Sequence, residues 1–405
     1  MAERSLSRRG RTVPRELEGA VNQSEESRST LIWIAAEPWD TTNFARPQQI
    51  PRLLARRGWS VDYAVPQPSL LRRIRRKGRE DWRDPCHELE PGIRVHYLSA
   101  PFPGGHRSPL ARRLNSMTAR RGMARLLSPP STPLPLIVVN SPALLEFWPP
   151  EAPVIYDCHD AITTFDWATE AYSAIEQRLF REARATVFSA QPLMDRYGAL
   201  CRRPVLIRNG CHPEDFSIEN RNAELPEDLA RIPEPRVGFY GLLGPWLDYE
   251  LIRTVAARLP TVQWVMIGRA EVPPEVLPQA TNIHYLGRKP YARLVDYLRG
   301  FRVSILPFLN NRLTEAVNPV KVYEYLAAGC PVVSTQMPEL EELGRTGLIE
   351  VRGNSESFAG AVDTIIRSTP EPAAASRRIA FAREQSWSRR ADQYDVLIRE
   401  VLGGE

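Results

Sequence analysis

The chain is short of the features that most readily declare a function. Its five cysteines, Cys86, Cys158, Cys201, Cys211 and Cys330, include no CxxC pair and no Cys/His spacing of the zinc kind. That pattern excludes a disulfide framework, gives no metal site, and reads as reduced thiols of a cytoplasmic protein. No run reaches the about 18 apolar residues of a membrane span, so no spanning helix is expected. Residues 1–29 lack the apolar centre of a secretory signal and read as a disordered basic tail. There is no short repeat and no low-complexity tract. Net charge is also small: 53 Lys plus Arg against 48 Asp plus Glu leave only +5. The arginine-rich stretches have few aromatics beside them and carry no nucleic-acid motif, so nucleic acid is not an expected partner.

What is present is an ordinary globular composition, 43% hydrophobic and 25% charged over 405 residues. That length fits two domains of roughly 150 to 200 residues. From Leu31 an apolar run, LIWIAAEPWD, breaks at Pro38 as a buried strand does at its C-terminal loop. The helical stretch RPQQIPRLLARRGW and the strand SVDYAV follow. Further strand-like runs recur at 92–98, 135–140, 153–158, 185–190 and 204–209, with helical patterns or loops between them. A second series starts after the polar, Pro-rich stretch 217–235, with strand-like runs at 236–241, 261–268, 282–287, 302–308, 331–335 and 348–351. Strands alternating with helices imply parallel sheets covered on both faces, with ligands at the strand C-terminal ends.

Two stretches, 69–80 and 106–127, are basic, and in the second Leu110, Leu114, Met117, Met123, Leu126 and Leu127 interleave with arginine at helical spacing. Such a helix can lie on an anionic membrane surface or can simply be an outer helix of a soluble domain.

In NPVKVYEYLAAGCPVVST, residues 318–335, Asn318 reads as an N-cap and Pro319 as a first-turn proline. The helix start at Asn318, Pro319 and Val320 would then aim free N–H groups at an anion such as a diphosphate. Lys321 and Glu324 share a face one turn in. They can form an exposed ion pair, or the carboxylate can accept from both hydroxyls of a vicinal diol. Gly329 is expected to end the helix with φ > 0.

Four stretches, DCHD (157–160), RNGCHPEDF (208–216), LGRKPYARLVDYLR (286–299) and NPVKVYEYLAAGCPVVST, come in the order and at separations that resemble the retaining, nucleotide-sugar-dependent GT-B glycosyltransferases. Among these the chain is similar to polysaccharide and teichuronic acid biosynthesis enzymes. The resemblance implies an α/β fold of GT-B architecture, two Rossmann-like α/β/α domains facing across a cleft. It places the acceptor domain at 30–205, the nucleotide-sugar domain at 206–375 and a helix crossing back at 376–405. It further implies a hexosyltransferase without cofactor or metal, acting on a UDP-, GDP- or dTDP-sugar and a glycan or lipid-linked acceptor. The protein is then expected in the cytoplasm, peripheral on the inner face of the plasma membrane.

Carried onto this chain, the resemblance assigns ribose to Glu324 and the donor sugar to His159 and Asp160, the latter orienting the ring. Lys321, Arg288 and Lys289 are candidate nucleotide cations, and Gly241 and Gly244 could let the backbone approach the phosphates. Many relatives carry an acidic residue where this chain has Ala316, and Glu315 is one position off. On the acceptor side, Trp39, Asp40 and Arg46 replace a Gly-rich turn, and Arg46 suits an anionic acceptor. Asn209-Gly210 reads as a hinge turn and His212 as a surface turn residue. Two other readings remain: a nucleotide-sugar epimerase of the same fold, which would consume donor without acceptor, and a non-catalytic partner protein, which would bind no donor.

Overall fold

The computed structural model describes residues 30–39, 44–66, 86–98, 108–127, 134–142, 151–161, 170–218 and 224–403. The expected tail at 1–29, Asp40 and the basic stretch 69–80 lie outside the described residues.

Two sheets account for the strands. The first contains β1 (Thr30–Ile34), β2 (Ser60–Pro66), β3 (Cys86–Glu90), β4 (Ile93–Leu98), β5 (Leu136–Val139), β6 (Val154–Cys158), β7 (Ala185–Phe188) and β8 (Pro204–Leu206). Their order is β3-β4-β2-β1-β5-β6-β7-β8. The second contains β9 (Arg236–Tyr240), β10 (Gln263–Ile267), β11 (Ile283–Gly287), β12 (Val303–Leu306), β13 (Val332–Thr335) and β14 (Glu350–Arg352), in the order β11-β10-β9-β12-β13-β14. Every pairing is parallel except that of β3 with β4.

The helices that follow the first strands are α1 (Arg46–Arg56), α2 (Pro109–Leu126), α3 (Glu170–Glu182) and α4 (Gln191–Tyr197). Those of the second half are α5 (Glu227–Ala230), α6 (Tyr249–Arg258), α7 (Leu294–Leu298), α8 (Val320–Ala327), α9 (Pro338–Arg345) and α10 (Ser355–Arg367). The chain ends in α11 (Pro372–Glu384) and α12 (Trp387–Gly403).

Along β1 the period-2 alternation of a strand sends Leu31 and Trp33 to one buried cluster and Ile32 and Ile34 to another, all with no exposed surface. Both faces are covered, which is why the run is apolar throughout. The first of those clusters also contains Trp387, Tyr394, Leu397, Ile398 and Val401 of α12, so the C-terminal helix belongs to the core of the first sheet. α11 stays packed on α8 of the second half. The crossing is made at Gln385–Trp387, where Cys211 N–H donates to Gln385 O and Trp387 N–H to Cys211 O. The edge strand β3, CHELE, has no counterpart among the expected strands. Its only large apolar residue, Leu89, is 42% exposed, so it carries no buried-strand signature.

Candidate active site

α8 starts one residue later than the sequence suggested. Pro319 is its N-cap, and no side chain caps the first turn. Asn318 is drawn elsewhere: its amide nitrogen donates to Tyr323 Oη at 2.9 Å and to Glu339 Oε2 at 2.8 Å, and its Oδ1 accepts from Asn209 N–H at 3.0 Å. The helix ends as expected. Gly329 has φ +68, its N–H donates to Leu326 O, and Cys330 N–H donates to Tyr325 O, the paired bonds of a Schellman motif.

Lys321 and Glu324 do not form an exposed ion pair. Glu324 is 6% exposed and accepts from Tyr240 Oη–H at 2.9 Å and from Tyr291 Oη–H at 3.1 Å. Burial pushes its carboxyl up, against the pull of Lys321 and the two hydroxyls. Lys321 lies over Gly241: a Cβ there would stand 2.2 Å from its Cε, so the absent side chain of Gly241 is the space that this lysine fills. Among the described residues its ammonium meets no carboxylate within 4.0 Å and no hydrogen-bond acceptor. Burial therefore holds its pKa below the ordinary lysine value, only partly offset by Glu324. A half-buried, incompletely compensated cation at a helix start is a place for an anion.

Gly268 supports the same turn. Its φ is +152 and a Cβ there would lie 1.7 Å from Gly241 O. Gly244 serves a different purpose from the one expected. The Trp246 ring covers it, 2.5 Å from where a Cβ would be, so its bare Cα accommodates that ring. Lys289 is committed to Asp228, Nζ to Oδ2 2.6 Å, whereas Arg288 is exposed and makes no hydrogen bond or ion pair among the described residues. Val320 packs against the first-sheet cluster that holds Leu31, and Ala316 is buried in the opposite one. Glu315 stands 3.9 Å from Arg196.

On the facing side, β6 ends in Asp157 and Cys158, and His159 and Asp160 follow at its C-terminal end. His159 Nε2 lies 3.2 Å from Asp160 Oδ2, and its Nδ1 lies 3.1 Å from Asn140 Nδ2. A neutral ring then accepts at Nδ1 and carries its proton on Nε2, toward Asp160. Burial works to lower the pKa of His159, but the carboxylates of Asp160, Asp157 and Glu37 outweigh it and raise it. Burial raises that of Asp160.

Arg46 and Trp39 are not acceptor contacts. Arg46 is 3% exposed, and its Nε and Nη2 clamp Asp157 at 2.9 to 3.1 Å. Its remaining donors go to Ile207 O at 2.8 Å, Arg208 O and Asn209 Oδ1 at 3.3 Å, and Tyr394 Oη at 2.7 Å. A buried guanidinium is tolerable only with such a set of partners, and none is left for a ligand. Trp39 is 3% exposed, edge-on to Tyr63 and Phe44, with Nε1 donating to Glu90.

The two sides are joined at the connector. Asn209 and Asn318 exchange two hydrogen bonds, N–H to Oδ1 at 3.0 Å and Nδ2 to O at 2.8 Å, while Arg46 holds the Asn209 side chain. His212 Nε2 meets Gln49 Oε1 at 2.9 Å. Tyr240, Tyr291, Asn140 and Tyr394 were not singled out from sequence, and Asp157 entered only as part of DCHD. Only their being brought together by the fold marks them. Among the described residues no three His, Cys, Asp or Glu side chains gather into a metal-ligand cluster.

Two family models match the chain: "Glycosyl transferase 4-like domain" over residues 45–210 and "Glycosyl transferases group 1" over 234–368. The Bacillus subtilis (strain 168) protein TuaH, named as a teichuronic acid biosynthesis glycosyltransferase, is 25% identical over 268 residues, which span 62% of this chain and 66% of that one. Among solved structures, sucrose-phosphate synthase from Thermosynechococcus elongatus superposes with a TM-score of 0.69 at 14% identity, over 93% of this chain and 100% of that one. Anabaena HepE in complex with UDP and glucose gives 0.61 at 15% identity, over 92% and 99%. These likenesses show the fold, two Rossmann-like domains in the GT-B arrangement.

Proposed function

The chain belongs to the group 1 glycosyltransferases of GT-B architecture, and on that premise we propose that it moves a sugar, with retention, from a nucleotide sugar to a glycan or lipid-linked acceptor of cell-surface polysaccharide synthesis. The observation that carries this reading is the pairing, one helical turn apart, of the unpartnered Lys321 ammonium and the buried Glu324 carboxylate. Glu324 takes the ribose hydroxyls. Lys321 and the first turn of α8 take the diphosphate, whose negative charge grows as the glycosidic bond breaks. Arg288 is the further cation for the nucleotide. His159, held by Asp160 and Asn140, faces the donor sugar from the other domain. In a front-face transfer the acceptor oxygen bonds to the anomeric carbon as the bond from that carbon to the diphosphate oxygen breaks. The acceptor proton passes to the departing phosphate oxygen. The products are the glycoside and a nucleoside diphosphate.

The complex of HepE with UDP and glucose supports a nucleotide sugar as the donor class here, and TuaH supports polysaccharide as the product class. A thermal-shift screen against UDP-, GDP- and dTDP-sugars tests the reading, because a ligand that binds the native state raises its melting temperature. One donor class is expected to stabilise the wild type, and Glu324→Ala is expected to lose that shift. An unchanged shift in the variant refutes the ribose assignment.

We further propose that α2 rests on an anionic membrane at the inner face of the cell. Leu110 is 67% and Met117 50% exposed, and Arg113, Arg121 and Arg125 are exposed on the same side of the helix. No helix among the described residues is long and apolar enough to cross a membrane. The protein is expected to sediment with phosphatidylglycerol vesicles at low salt and to be released at high salt; failure to sediment at low salt removes this part of the reading.

A further inference from the structure

The two hydroxyls on Glu324 are not equivalent. Tyr240 ends β9 and is 3% exposed, with its ring edge-on to Tyr325 at 5.0 Å and parallel to Phe216 at 6.3 Å. Its backbone N–H donates to Tyr325 Oη at 3.1 Å, and its own hydroxyl donates to Glu324 Oε2. It is part of the core. Tyr291 stands on the single 3-10 turn Tyr291–Arg293 after β11 and is 46% exposed. Among the described residues its only ring contact is with Phe216, edge-on at 5.4 Å, and its hydroxyl reaches inward to Glu324 Oε1.

We propose that Tyr291 is a gate on the nucleotide pocket, its hydroxyl occupying the Glu324 oxygen that the ribose diol takes and leaving when donor binds. The proposal rests on the assignment of Glu324 to ribose made above. A buried carboxylate oxygen without a partner is costly, and in the empty protein Tyr291 satisfies it. A vicinal diol brings two donors of the same kind, while Tyr240 keeps its hold on Oε2. Exchange therefore swaps one O–H to carboxylate bond for another, and the partly exposed ring can turn out with the loss of one edge contact. The closed state lowers apparent affinity in proportion to its population. Only a ligand that must take Oε1 meets that cost, so the gate weighs on a ribose-bearing ligand and not on a bare diphosphate.

The test is calorimetric titration of the full chain with UDP, GDP, ADP and inorganic pyrophosphate, on wild type, Tyr291→Phe and Glu324→Gln, each first checked for a native melting transition. Tyr291→Phe removes the hydroxyl and keeps the ring. It is expected to bind the preferred nucleoside diphosphate about 5- to 10-fold tighter than wild type, with pyrophosphate binding unchanged. Glu324→Gln is expected to weaken the nucleotide alone. If Glu324→Gln weakens binding while Tyr291→Phe leaves it unchanged or weakens it, the gate is overturned and the ribose site stands; Tyr291 is then a passive neighbour or a direct ligand. If Glu324→Gln binds like wild type, or none of the three nucleotides binds the wild type, the ribose assignment falls and the gate falls with it.

Discussion

Glu176 is a second buried carboxylate, 1% exposed, which accepts from Tyr156 Oη–H at 2.7 Å. Unlike Asp157 it has no guanidinium beside it, and burial lifts its pKa from 4.5 to about 7 in spite of the tyrosine. The native carboxyl thus holds its proton more tightly than the unfolded one. The stability this provides is complete below the ordinary carboxyl value and is lost as pH rises toward the native value. The loss amounts to on the order of 3 kcal/mol by neutral pH and above. Glu176→Gln keeps a polar partner for Tyr156 and abolishes the titration. Its melting temperature is expected to exceed that of wild type by a margin that widens between about pH 5 and 7. A margin independent of pH would show that Glu176 titrates normally. Arg46 shows the limit of reading residues singly. Its side chain meets Asp157, 111 positions away, and Tyr394, 348 away, and no local pattern announces either meeting.

Elements were far more legible. β1, β5, β6, β7, β9, β10, β12 and β13 are buried on both faces, so each appears as a short apolar run, and the positions of the sheets follow from them. β3 was not legible because an antiparallel edge strand buries little, and its residues CHELE look like a loop. The start of α8 was displaced by one residue because Asn318, a good cap by type, is engaged by Asn209 and Glu339, which sequence proximity does not reveal. Glu324 stood out as a candidate because helix spacing and a family resemblance coincide on it. Its tyrosine partners were not found, because Tyr240 and Tyr291 come from separate strand ends. Two glycines separate local from tertiary demands. Gly268→Ala sets a Cβ against the Gly241 carbonyl and is expected to cost roughly 3 kcal/mol or more, with loss of the donor-induced thermal shift. Gly329→Ala meets only side-chain atoms at 3.2 Å and beyond and is expected to cost about 1 kcal/mol, with the shift kept. Equal costs in chemical denaturation would refute the distinction.

At the scale of the molecule, the two sides of the cleft share one polar network. It runs from His159 through Asn140 and Asp157 to Arg46, and through Asn209 to Asn318 at the head of α8. Tyr394 closes it from the C-terminal helix, donating to Asp157 Oδ1 at 2.6 Å and accepting from Arg46. Tyr394→Phe leaves the ring in the core and removes both bonds to charged groups. Urea denaturation is expected to show a loss of about 1.5 to 3 kcal/mol, and an unchanged midpoint would mean that the Arg46–Asp157 pair is self-sufficient.

The return of α12 to the first sheet also bears on how the chain folds as it is made. The ribosome delivers β1 to β8 first, yet Trp387, Tyr394, Leu397, Ile398 and Val401, which complete one face of that sheet, emerge only after the whole second sheet. The second half, whose own cluster includes no residue of α12, has everything it needs earlier. Synthesis order and order of completion are therefore reversed, and the first sheet stays open on one side until α12 has emerged.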